Sequence, residues 1–188
     1  MKNKKHRNLL LLSYLILIGL SLSFLLNHGF NSPLYSAILK GNADPFGVMV
    51  FFLMGLYPLS FLISNFILER EMTKSDWILS FLSFGLGAFA LVPSYFKPFK
   101  RKDRPHSIQP TLWAWIGIGS TLMLLVYGIM VGDSVLYSVA FLTDPLVFIM
   151  TLDFITLTIL SVLIAKEHSV SWKFALFPLV GWWAILLQ

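Results

Sequence analysis

Six apolar stretches, each long enough or nearly long enough to cross a bilayer, follow one another along the chain with only short polar connections between them. Crossing the ~30 Å hydrocarbon core takes roughly 20 apolar residues as a helix. A helix satisfies its own backbone groups, which lipid cannot do for it. The expected fold is therefore all-α: an integral membrane helical bundle of six transmembrane helices, over residues 9–26, 45–68, 77–95, 112–131, 145–165 and 172–187. Five is the alternative count, because the last stretch is short enough to rest in the interface. Composition agrees, with 57% apolar and 12% charged residues and a mean hydropathy of +0.78. Soluble domains carry roughly 25% charge, and one aqueous core could not hide this much apolar surface. One polytopic domain, residues 1–188, is expected.

Local signals refine this. The first stretch follows a basic start and competes with a signal peptide, but its apolar run is too long for one and favours a retained anchor. Asp44-Pro45 and Asp144-Pro145 each open a stretch, Asp as N-cap and Pro at the first helical position. Pro58 predicts a kink in the second stretch. Residues 27–44 read as a loop, and 132–143 as a connection too short to cross. Trp77, Trp113, Trp115, Trp172 and Tyr95 fall near stretch ends, where amphipathic rings stand at headgroup level.

The 14 Lys and Arg residues include two clusters: Lys2, Lys4, Lys5 and Arg7, then Lys97, Lys100, Arg101, Lys102 and Arg104. Beside apolar spans such clusters read as contacts to anionic lipid headgroups and as orientation signals. Without a soluble fold to carry them, nucleic acid is excluded as a partner. Six crossings put the two clusters on opposite faces and divide Lys and Arg six against eight. Both clusters cannot then obey the positive-inside rule, and the topology conflicts with itself.

Small residues at Ser80, Ser83, Gly87, Ala90 and Ser94 recur at the spacing of one helix face, and Gly117, Thr121 and Gly128 form a second series. Such faces let helix backbones approach closely in lipid, so both are expected as packing seams. Asp153 lies near the middle of the fifth stretch. A carboxyl there costs several kcal/mol unless it is protonated, paired or facing water. Thr156, on the same face, is a candidate donor to it. The alternatives are a proton or cation site and a bonded structural acid. Absence of Cys removes disulfide, thiolate and CxxC chemistry. His6, His28, His106 and His168 lie in tails or loops without metal-binding spacing, so neither metal nor cofactor is expected.

The segments Phe51-Phe-Leu-Met-Gly-Leu-Tyr-Pro58 and Ser83-Phe-Gly-Leu-Gly-Ala-Phe-Ala-Leu-Val-Pro93 resemble a family of small multi-span membrane proteins common in cyanobacteria and plastids, with bacterial relatives. Phe148-Ile-Met-Thr-Leu-Asp153-Phe and Phe177-Pro-Leu-Val-Gly-Trp182 resemble its later segments, so the likeness runs from about Asp44 onward. That family is functionally uncharacterised, and the resemblance implies a shared fold and no activity. The low-charge, Lys-rich style suits a bacterial cell membrane. The expected function is that of a non-enzymatic subunit, assembly or interaction protein with a membrane-protein partner. The alternative is a small proton- or cation-coupled carrier using Asp153. An intramembrane enzyme would bring several clustered polar residues, and the sequence offers none.

Overall fold

The computed structural model describes residues 3–68, 70–97, 110–167, 172–177 and 179–185. Several helices begin where a short side chain accepts from the stranded N–H groups of the first turn. Asn3 accepts from Lys5 N at 2.9 Å and opens α1 (Lys4–His28). Ser32 opens the short α2 (Pro33–Lys40), inside the stretch expected as a loop, and Gly41 closes it at φ 71°. Asp44 accepts from Phe46 N at 2.8 Å and opens α3 (Pro45–Ile67), which runs through Pro58 as one helix. Thr73 and Asp76 form a capping box at the head of α4 (Lys74–Leu86), and α5 (Ala88–Tyr95) follows directly. Beyond it lie α6 (Pro110–Val131), α7 (Ser134–Thr143) and α8 (Pro145–Glu167). A 3-10 turn at Phe174–Leu176 and α9 (Val180–Ile185) complete the described chain.

Among the described residues α1, α3, α6 and α8 are long and apolar enough to cross a membrane. At 22 to 25 residues each, they measure roughly 33–38 Å. Their contacts fix an antiparallel-parallel order. Asn3 N donates to Glu167 Oε1 at 3.1 Å, while Phe24 stacks on Phe148 at 4.1 Å, so α1 runs against α8. Asp44 and Gly47 at the start of α3 share one cavity with Asp144 and Val147 at the start of α8, and Tyr57 bonds Thr158 at 2.8 Å halfway along both, so those two run together. Gly128 and Gly132 press on Met49 and Phe46, so α6 runs against α3. The bundle thus has two ends. One holds Asp44, Asp133 and Asp144; the other holds the start of α1, Arg70, Lys74, Lys97 and Lys166.

The stretch 77–95, expected as one crossing helix, is instead a helical hairpin. At Gly87 the backbone takes φ 54° and ψ −131°, a conformation that L side chains rarely adopt. Beyond that turn α5 comes back along α4. Lys97 Nζ reaches Asp76 Oδ1 at 3.1 Å and Ser75 Oγ at 2.6 Å, so the hairpin returns to the end it started from. α4, with 13 residues, reaches only ~20 Å, too short to span ~30 Å of hydrocarbon alone. The stretch 172–187 also departs from one helix, since its described part is the 3-10 turn and α9. Its turn residue Leu179 meets the Tyr57 hydroxyl halfway along α3, and Trp182 Nε1 donates to Ser64 Oγ at 3.0 Å nearer the basic end. Both segments therefore enter from the basic end and fill that half of the bundle. They meet at Phe61, whose ring lies 5.6 Å from Tyr95 and 5.1 Å from Trp182.

Gly87 carries a sharp test. A methyl group there would meet the Asp153 carboxylate and force a left-handed φ on a substituted residue. Gly87→Ala should destabilise by more than about 2 kcal/mol, read as a fall in Tm in detergent. Gly85→Ala, whose methyl meets open space on α4, should be neutral or gain up to about 1 kcal/mol. Equal effects would refute the hairpin turn.

Candidate functional site

Helix α5 starts at a turn residue with no side chain, so no residue of its own sequence caps it. The acceptor comes from across the bundle: Asp153 Oδ1 takes the Ala88 N–H at 2.6 Å. Asp153 is 1% exposed, and its Oδ2 has no hydrogen-bond partner among the described residues. A carboxyl oxygen at the positive end of a helix is favourably placed in either protonation state. Thr156, expected as its donor, turns instead to the Leu152 carbonyl of its own helix at 2.9 Å. Ser21 Oγ, also buried, has no partner either. Counting along the antiparallel α1 and α8 brings Ser21 within about one turn of Asp153 in depth.

The seam residues are all buried, but they do not form one helix face. Ser80 and Ser83 lie on α4, Ala90 and Ser94 on α5, and Gly87 is the turn between them. Ser83 and Ser94 back-bond to the Ser80 and Leu91 carbonyls at 2.6 and 2.8 Å, leaving their faces smooth for packing. On α6, Gly117 lies against the Trp183 indole and Gly128 against Met49, with buried Thr121 bonded to the Gly117 carbonyl at 2.7 Å.

A second polar cluster closes the hairpin at its base, and sequence reasoning missed it. Arg70 is buried, donates to the Ser94 carbonyl at 2.5 Å and to Asn65 Oδ1 at 3.5 Å, and lies 4.4 Å from the Tyr95 ring centre. Tyr95 OH donates to Asn65 Oδ1 at 3.1 Å, so Tyr95 is a core residue and not part of a headgroup belt. Asp76 accepts from the Thr73 N–H and hydroxyl at 2.9 and 2.7 Å and from Lys97 at 3.1 Å. Burial pushes its carboxyl pKa up, but the Thr73 and Lys97 bonds and the Arg70 charge outweigh that and hold it below the ordinary value. Nothing in the short charged stretch before α4 marks Arg70 as buried; only the return of α5 encloses it. Of the expected headgroup residues, Lys97 belongs to this clamp, while Lys100, Arg101, Lys102 and Arg104 lie outside the described residues. His106 and His168 also lie outside them. Among the described residues no three His, Asp or Glu side chains gather as a metal site.

No protein-family model, curated protein or solved structure matches the chain. The local geometry must carry the functional argument.

Because folding lowers the Asp76 pKa below its ordinary 3.8, its contribution is complete above that pH. It is lost as pH falls through the folded value. Asp76→Asn should lower Tm at pH 7 and flatten the acid-side decline below about pH 4 relative to wild type. Parallel pH profiles for the two proteins would refute the clamp.

Proposed function

We propose that the chain is an integral membrane protein with four crossing helices and two segments inserted from one face, acting as a non-catalytic subunit or assembly partner in a bacterial cell membrane. The observation that carries this reading is the use of Asp153. Its one bonded oxygen caps α5, a structural task that accounts for an acid at mid-bilayer without any transported ion. Between their polar ends the outward sides of α1 and α6 are mostly apolar, with Leu12, Leu15, Trp115 and Ile116 about half exposed, as lipid-facing or partner-facing helices would be. The resemblance to the cyanobacterial and plastid family belongs to the same proposal and adds a fold without an activity. The six-crossing arrangement is not retained. With the hairpin returning, Lys97 and the start of α6 lie at the same basic end, and among the described residues Lys40 alone of the Lys and Arg side chains falls on the other side. The basic end then faces the cytoplasm, and the positive-inside conflict disappears.

The carrier reading has one observation in its favour: the free Asp153 Oδ2 beside a broken helix, an arrangement that transporters use for coupling ions. Substitution separates the two. Asp153→Asn keeps an acceptor for Ala88 and should keep Tm and partner recovery. Asp153→Ala strands that N–H and should cost about 1–3 kcal/mol, or several degrees in Tm. A proton- or cation-driven uptake lost in Asp153→Asn, with Tm unchanged, would establish the carrier instead. A stoichiometric partner in mass spectra of gently extracted protein would establish the subunit.

Orientation has its own test in a chain without Cys. Single cysteines at Glu71 and Ser107 flank the hairpin and should label from the same side of intact cells' membranes, here only after lysis. A cysteine at Ser134 should label in intact cells. Opposite labelling at 71 and 107 would restore a crossing helix between them.

A further inference from the structure

The half of the bundle that the inserted segments leave unfilled holds a cavity of about 280 Å³ at the acidic end. It lies between α2, α7 and the starts of α3 and α8, at the small end of the ~300–1,000 Å³ typical of ligand pockets. Its walls are apolar, with Leu34, Ala37, Leu136, Ala140 and Val147 facing it, and its polar lining includes Asp44 and Asp144. The two carboxylates differ in what they have left to give. Asp144 is 4% exposed and saturated: it accepts from Ser32 Oγ at 2.7 Å, Leu34 N at 2.8 Å and Leu146 N at 2.8 Å. Asp44 Oδ1 accepts from Phe46 N, but Oδ2 takes only the Asp133 N–H at 3.1 Å, and the residue is half-buried. Asp44 therefore keeps acceptor capacity at the rim.

Charge narrows the occupant. Asp44, Asp133 and Asp144 gather at this end, and Lys40 is the one described Lys or Arg there. Clefts lined by one sign of charge concentrate the opposite ion, while the apolar walls exclude a fully hydrated one. The wall formed by α2 also has the build of a cover. It runs between Gly29 and Gly41, both at positive φ (78° and 71°), and is held to α8 by the Asp144 bonds to Ser32 and Leu34.

We propose that this cavity binds a small lipophilic cation, an apolar body carrying a protonated amine, with the amine on Asp44 and α2 closing over the body. The test uses the full chain in nanodiscs, with 1-aminoadamantane as probe and 1-adamantanol and adamantane-1-carboxylate as its uncharged and anionic counterparts. The amine should raise Tm saturably, by about 5 °C at saturation. The alcohol should give a smaller rise and the carboxylate none. Ala140→Trp, which fills the cavity, should abolish the response. Ala37→Phe does the same from the α2 side if the first variant fails to fold. Asp44→Asn keeps a good N-cap for α3 and should weaken the amine response at least tenfold in concentration. No rise with the amine, equal rises with all three probes, or an undiminished rise in a folded cavity-filling variant would each overturn the proposal.

Discussion

When the chain reverses at Gly87, the first N–H of α5 is left without a helical acceptor deep inside an apolar bundle, and Asp153 supplies one. An unpaired N–H there costs a few kcal/mol, comparable to the whole benefit of a well-made cap. The turn and the acid are therefore mutually dependent. The turn needs a residue without Cβ, because a Cβ would both strain the backbone and occupy the place of the carboxylate. The carboxylate in turn has a reason to be at this depth only because the turn is there. Below it the hairpin is closed again, by Lys97 on Asp76 and Arg70 on Ser94, so that its two helices are pinned at tip and base.

This reversal decides how charge is distributed among the described residues. A crossing helix over 77–95 would send the chain to the far side and scatter its bases over both faces. A returning hairpin brings Lys97 back to the basic end, where α6 also begins, and the acidic end holds three aspartates that cap α3, α7 and α8. The same geometry makes the bundle asymmetric in depth. Two inserted segments, rich in Trp and Tyr, fill the basic half around Phe61. The acidic half is covered only by the short α2 and α7, and there the cavity remains.

Much of the fold was legible. The four long helices follow from apolar length alone, and the starts of α3 and α8 follow from Asp44-Pro45 and Asp144-Pro145. The hairpin was not legible, for a physical reason. Hydropathy sums along the chain and is blind to direction, so α4 and α5 together look like one span. The small-residue spacing pointed the same way: Ser80, Ser83, Gly87, Ala90 and Ser94 fit one face of a straight helix as well as they fit two helices pressed together. The clue was the conflict between the basic clusters, which signalled one crossing too many without saying which. Asp153 was found from its depth, but its bonding partner is a backbone N–H, which no side-chain pattern reveals. Arg70 was hidden because a buried guanidinium and an exposed one have the same neighbours in sequence.

The remaining question about Asp153 is a contest between one oxygen and the other. Oδ1 is committed to Ala88, and that bond survives whether the acid is charged or neutral. Oδ2 has no hydrogen-bond partner among the described residues, and a fully charged carboxylate with one unbonded oxygen in an apolar interior is among the costliest arrangements available to a protein. A proton on Oδ2 removes most of that cost and leaves the cap intact. Ser21, at a similar depth and equally unpartnered, offers an oxygen on the one long helix that packs against α8 in antiparallel. A structural acid needs only Oδ1 for its task here, whereas transport would require a proton or ion to come and go at Oδ2 during every cycle. The cap at α5 constrains such a cycle: any ion bound at Oδ2 would have to enter without disturbing the Oδ1 bond to Ala88 at the hairpin tip.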